Sequence, residues 1–187
     1  MANLSEAQIQ ALIARVQSGE SDAFGQIFDI FADRIFKFLH FRLGGDRETA
    51  QDLTSETFLQ AFRSIGRYQT SSKAKFSTWL FSIAHHILLD HFRKSQKTKG
   101  QVDIEAISET LSDTSVSELT KADQQMRFRA VTRYLKKLPP DIAEVLTLKF
   151  IEEMEYAEIA QITGKNANHI RVLIHRGLKA LRENIDD

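Results

Sequence analysis

With 187 residues, 42% hydrophobic and 27% charged, the chain can bury one ordinary core or two small ones and does not have the composition of a disordered polymer. Its 25 basic residues balance 25 acidic ones, so no bulk positive charge draws it to nucleic acid, and the absence of cysteine excludes disulfides, thiolate metal sites and thiol catalysis. Only two prolines and eight glycines interrupt recurring Leu, Ile, Ala, Glu, Lys, Arg and Gln, so the expected fold class is all-α.

The first helix is expected from Ser5 to Ser18, opened by a Ser5/Gln8 capping box, stopped by Gly19, and carrying Ile9, Leu12, Ile13 and Val16 on one face. Its flanks carry no basic stretch followed by an apolar run, so it does not read as a signal peptide, and no stretch reaches the roughly 18 apolar residues of a membrane span. A soluble, cytoplasmic protein without membrane insertion is the expectation. The second helix opens at Ser21 or Asp22 and closes at Gly44-Gly45, with Phe24, Ile27, Phe28, Phe31, Ile35, Phe38 and Leu39 as an inward stripe. A third begins at Asp46 and ends before Gly66, with Ala50, Leu53, Phe58 and Phe62 inward. A fourth runs from Phe76 to Lys94 on Phe76, Leu80, Ile83, Ala84, Ile87 and Leu88.

From Gln96 to Thr120 the chain is rich in Ser, Thr and acid and weak in periodicity, which reads as a linker. As a flexible coil it has an r.m.s. span of roughly 25 Å, and fully extended it reaches roughly 70 Å. Beyond it are expected a helix from Leu119 to Leu138, a break at Pro139-Pro140, and a helix through Ile142, Val145, Leu146 and Phe150. Two more follow, Tyr156 to Ile162 and Asn166 to Asn184. The domains are therefore set at 1–95 and 121–187, with 96–120 between them.

The neutral total hides an alternation of sign. Between Arg67 and Lys99 the basic residues Arg67, Lys73, Lys75, Arg93, Lys94, Lys97 and Lys99 face only Asp90, whereas Asp103 to Glu118 carries acids alone. In the last two helices Gly164 suits a tight turn, Ile159, Ala160, Ile170 and Ile174 can face inward, and Arg171, Arg176, Lys179 and Arg182 precede the first acid, Glu183. That is the layout of a helix-turn-helix, whose second helix enters the major groove while cations neutralise phosphates. Asn166, Asn168, His169, Arg171 and His175 are its polar positions; a helical hairpin with a solvated basic face is the alternative. In the fourth helix Trp79, His86, Asp90 and Arg93 share a face, as a single-strand-binding surface or as a half-buried Trp beside a His86–Asp90 pair.

AQDLTSETFLQAF followed by KFSTWLFSIAHHILLDHFRK resembles sigma region 2, and LPPDIAEVLTLKFIEEMEYAEIAQITGKNANHIRVLIHRGLKALRE resembles sigma region 4. Together they identify the chain as similar to bacterial RNA polymerase sigma factors of the extracytoplasmic-function subfamily, which lack region 3. The resemblance implies that Gln51, Asp52, Ser55, Glu56 and Gln60 dock on the β′ clamp helices of the polymerase core, with Leu53, Phe58 and Phe62 on the buried side. It implies −10 promoter contacts from Tyr68, Lys75, Ser77, Thr78, Trp79, His85, His86 and Arg93. It implies −35 contacts from Asn166, Asn168, His169, Arg171, His175, Arg176 and Lys179, a touch on the β flap, and control by an anti-sigma factor. His86 stands where family members commonly have Asn, Val172-Leu173 where many have Ser-Arg or Thr-Arg, and Lys165 where an apolar residue is usual. No catalytic, cofactor or metal site is expected, because there is no Gly-rich phosphate loop and no HExxH, and the six histidines are poorly arranged for a metal. The expected protein is thus not an enzyme but a sigma factor directing promoter-specific initiation. The alternatives are a sigma-like decoy that sequesters an anti-sigma factor, and a dimeric helix-turn-helix regulator.

Overall fold

The computed structural model describes residues 5–69, 75–99 and 118–183, with side chains described outside 96–99 and 118–125. Ser5 starts the first helix as its neighbours require. Its hydroxyl accepts the Gln8 amide while its own N–H donates to Gln8 Oε1 at 2.8 Å, and α1 (Glu6–Gln17) follows with Ile9, Leu12, Ile13 and Val16 buried. Helix α2 (Asp22–Arg42) buries Ile27, Phe31, Ile35, Phe38 and Leu39 at spacings of three and four.

Two aromatic positions differ from the sequence expectation. Phe28 is 42% exposed and Phe62 is 44% exposed. Each lies at the rim of the α2/α3 contact, where Phe28 meets the ring of Phe58 at 4.7 Å and Phe62 that of Phe24 at 5.0 Å, edge on. An apolar stripe seven residues long covers a wider arc than the neighbouring helices can enclose, and its edges stay in water.

Asp46 caps α3 (Arg47–Ser64), its carboxylate accepting both the amide and the hydroxyl of Thr49. Thr54 and Thr57 sit in the core with Ala50, Leu53, Phe58 and Ala61, which is possible because their hydroxyls donate to the carbonyls of Ala50 and Leu53. A 3₁₀ turn, Ile65–Arg67, ends the helix, and Gln17 Nε2 pins it by donating to the carbonyls of Ile65 and Tyr68, both at 2.8 Å. Helix α4 (Phe76–Lys99) extends past the expected end at Lys94. All six expected inner residues are buried, and so is Phe81, whose ring packs edge-on against Phe38 at 5.4 Å. Phe31, Phe38, Phe76 and Phe81 are almost wholly buried. Each such burial stabilises the bundle by about 1.5–3 kcal/mol.

The remaining elements are α5 (Glu118–Lys136), α6 (Pro140–Leu146), a π-helical turn Thr147–Ile151, α7 (Tyr156–Thr163) and α8 (Ala167–Glu183). Pro140 occupies the first turn of α6, where its missing N–H costs nothing. Gly164 closes α7 with φ of 69°, the left-handed conformation glycine adopts without steric cost. Helix α8 crosses α6 at Gly177, where a Cβ would stand 2.6 Å from Ile142 Cγ2 and 2.7 Å from Leu146 Cδ1. Only a hydrogen fits there. The expected linker at 96–120 falls mostly outside the described residues; α4 and α5 occupy its two ends.

The two helical groups are packed on each other, α4 against α7, and α2 against α5 and α6. Phe128 of α5 lies on His40 and Phe41 of α2, with ring centroids at 5.0 and 4.8 Å. Among the described residues there is no strand, and no helix is long and apolar enough to cross a membrane.

Candidate nucleic-acid interfaces

Helix α8 presents its polar side without obstruction. Asn166 precedes it and accepts the His169 amide at 2.8 Å, satisfying one of the orphan donors at the helix start. Ile170, Leu173 and Ile174 turn inward, which leaves Asn166, Asn168, His169, Arg171, His175, Arg176 and Lys179 all exposed on the outer side. Arg171 is held in place, donating to Asn168 Oδ1 at 3.0 Å and lying 5.5 Å from the Tyr156 ring centre. Of the two residues at the departure from the family pattern, Leu173 is core and Val172 is exposed. Lys165 turns toward Asp141 at 3.6 Å.

The corresponding surface of α4 is divided. Lys75, His86 and Arg93 are exposed, Ser77 and Trp79 are half-buried, and Tyr68, Thr78 and His85 are buried. Trp79 packs 5.2 Å from both the Tyr68 and Phe76 rings, a small aromatic cluster set by the turn that Gln17 pins. His86 Nδ1 pairs with the Ser82 carbonyl at 2.6 Å, and Asp90 pairs with Arg93 at 2.9 Å, so the His86–Asp90 pair weighed from spacing is not formed.

What covers the other half of α4 is carboxylate from the second helical group. Glu158 of α7 accepts from Thr78 Oγ1 and pairs with Lys75 Nζ, each at 3.2 Å. Glu144 of α6 accepts from His85 Nδ1 at 2.7 Å and lies 3.8 Å from Arg42 Nε, the three side chains being 2%, 7% and 4% exposed. Arg42 also donates to the Pro140 carbonyl at 2.6 Å. Glu152, after the π-helical turn, pairs with Arg34 at 2.8 Å, and the Arg34 guanidinium lies against the rings of Phe31 and Phe81.

The three carboxyls respond differently to this confinement. Burial disfavours ionised Glu144, but the His85 hydrogen bond and the Arg42 charge outweigh it and hold the group below its ordinary range. Its carboxylate is therefore an acceptor, which places the His85 proton on Nδ1. For Glu158, burial is likewise outweighed, by the Glu155 amide and by Lys75 and Thr78, and the group is again lowered. For Glu152 burial prevails over Arg34, and the group is raised.

On α3 a third face is open. Gln51, Asp52, Ser55, Glu56 and Gln60 are all exposed while Leu53 and Phe58 are buried, and Leu59, 49% exposed, stands among them with Phe62 at its edge. Sequence reasoning missed Leu59, Arg42, Glu144, Glu152 and Glu158. Only Glu144 had a local signal: it is a single acid inside the apolar run Ile142-Ala143-Glu144-Val145-Leu146, a pattern that requires a buried partner.

Comparison with known proteins decides the family. Residues 28–98 match the model for Sigma-70 region 2, and residues 128–181 match that for Sigma-70, region 4. The ECF RNA polymerase sigma factor BldN of Streptomyces coelicolor is 34% identical over 100% of this chain and 69% of its own length; SigW of Bacillus subtilis, another ECF sigma factor, is 30% identical over 97% and 99%. The chain belongs to the extracytoplasmic-function RNA polymerase sigma factors. As one of these it directs promoter-specific initiation of transcription. The sigma fold recurs in CnrH, solved in complex with the cytosolic domain of CnrY, with a TM-score of 0.64 and 21% identity over 94% of this chain and 96% of that one. It recurs also in RpoE of Bartonella quintana, solved with the anti-sigma factor NepR, with a TM-score of 0.68 and 20% identity over 87% of this chain and 96% of that one.

Proposed function

We propose that this sigma factor divides its work between two units, residues 1–95 binding core polymerase and the −10 element and residues 121–187 binding the −35 element. In this reading Gln51, Asp52, Ser55, Glu56 and Gln60 meet the β′ clamp helices, with Leu59 and Phe62 supplying apolar area beside them. The side chains of α8 from Asn166 to Lys179 enter the −35 major groove, and this unit also touches the β flap. The aromatic cluster of Tyr68 and Trp79, with Lys75, Ser77, Thr78, His85, His86 and Arg93, receives −10 bases drawn out of the stack. Unstacking costs a few kcal/mol per step, which base-binding pockets offset. The protein itself performs no catalysis and needs no cofactor. It acts in the cytoplasm beside polymerase, and an anti-sigma factor restrains it, as NepR is paired with RpoE.

The observation that carries the reading is the exposure of every predicted polar position on α3 and α8, while the opposite sides of both helices are buried. Run-off transcription with purified core tests it directly: promoter-dependent transcripts support it, and a chain that joins core without directing any start would instead be a sequestering decoy. Asp52→Arg with Glu56→Arg should abolish co-purification with core while circular dichroism stays unchanged. Arg171→Ala with Lys179→Ala should weaken duplex binding and flatten the dependence of log K on log salt by about 2, one unit per lost phosphate contact. An unaltered slope would remove α8 from the DNA.

A further inference from the structure

Helix α8 turns Ile170, Leu173, Ile174 and Gly177 inward. At about 100° per residue, the direction opposite that side runs through Asn168, Val172, His175 and Lys179. Val172 therefore stands at the middle of the outer side, one turn from Asn168, His175 and Arg176, and it is 46% exposed. A lone exposed valine is ordinary on a protein surface. The setting of this one is not. It adds nothing to the buried core, its neighbours on that side are polar, and Arg171, Arg176 and Lys179 give the side a positive charge suited to phosphates. It also lies in the first two turns of α8, the part whose side chains reach base edges in a helix-turn-helix.

We propose that Val172 selects a thymine in the −35 element, by placing its methyl groups against the C5 methyl in the major groove. The inference rests on the functional reading above and deepens it, naming one base that the helix chooses. That methyl is the apolar feature of the major groove, and it marks thymine against the other three bases. The other route to an A·T pair is a bidentate amide on adenine. Helix α8 contains no Gln, and both nearby amides are already oriented by contacts within the protein. Asn166 Oδ1 accepts the His169 N–H at 2.8 Å, and Asn168 Oδ1 accepts from Arg171 Nη1 at 3.0 Å. Valine also comes to the contact prepared. Branched at Cβ, it holds one strongly preferred χ1 in a helix, so seating it costs little rotamer freedom. A serine hydroxyl in the same place would pair with more than one base edge and discriminate less.

The test uses holoenzyme, assembled from the full chain and core polymerase, and a promoter from which it initiates, with the −35 element randomised. Templates selected by the wild type should hold thymine at one position. Val172→Ser should lose that selection and keep the rest, and Val172→Thr, which retains one methyl, should keep part of it. Deoxyuridine differs from thymidine only by lacking the methyl. At the selected position it should lower wild-type affinity about fourfold, the factor for one apolar carbon left in water, and should leave Val172→Ser unaffected. Deoxyuridine equal to thymidine for the wild type at every −35 position, or an equal uridine penalty in Val172→Ser, would overturn the proposal. Arg171→Ala with Lys179→Ala separates that failure from failure of the functional reading. If the salt slope flattens in this variant while deoxyuridine has no effect on the wild type, α8 is on the DNA and only the valine assignment falls; if the slope is unaltered, both fall.

Discussion

Helices α4 and α8 are both amphipathic, both bury an Ile/Leu side and both turn polar groups outward, yet only α8 keeps all of those groups in water. On α4, Thr78 and His85 are sealed beneath Glu158 and Glu144, while Lys75 is paired at its exposed end. The difference lies in what each helix meets beyond its own bundle. It teaches that the polarity of a helix face fixes what it can bind, whereas its availability depends on partners 59 and 80 residues further along the same chain.

The comparison breaks most severely if the α4 side is collapsed alone. Phe81 is wholly buried between α2 and α4, and Phe81→Ala should cost about 3–5 kcal/mol by leaving a cavity, which calorimetry would read as a loss in region 2. Duplex binding through α8 should persist. If it disappears in parallel, the two surfaces are not independent.

The joint between them can be sharpened by setting Glu144 against Glu152. Glu144 faces Arg42, His85 and Lys165 and is lowered, so its contribution to the docked form is complete above the ordinary glutamate range and is lost as pH falls through the lowered value. Glu152, facing Arg34, Lys37 and Asp33, is raised, so its contribution is complete below the ordinary range and is lost as pH rises through the raised value. At neutral pH, then, Glu144→Gln should loosen the docked form by about 1.5–3 kcal/mol, the scale of a charge-assisted hydrogen bond, whereas Glu152→Gln should leave it unchanged or tighten it. Thermal melts across the acid range would check the signs; loosening by both substitutions would contradict them.

The smallest effect lies outside the joint. Asp46→Ala removes the cap of α3 and should cost about 1 kcal/mol in a denaturant melt without altering duplex binding through α8. A loss of that binding would show that the α3 end communicates with the second helical group.

Much of this was legible in the sequence because helix formation and burial follow local periodicity. The Ser5/Gln8 box, the Asp46 start, the Gly164 turn and the inner residues of α4 all rest on spacings of a few residues. Phe28 and Phe62 were misread inward because periodicity gives the direction of a stripe but not how much of it neighbouring helices cover. Of the carboxylate docking only the burial of Glu144 had a local signal, and none of the partners did. Its pairs join residues 59, 80 and 118 positions apart, and nothing near Glu152 or Glu158 distinguishes them from the exposed Glu153 and Glu155 beside them.

The bare hydrogen of Gly177 has a further consequence. Because any side chain there would collide with Ile142 and Leu146 of α6, it acts as a key that sets how far the helix is rolled about its own axis. One residue inserted between Ile174 and Gly177 would leave that key engaged but swing every side chain upstream of it by about 100°. Ile170, Leu173 and Ile174 would then turn out of the core, so the register that seats the glycine also seats the apolar side of the helix.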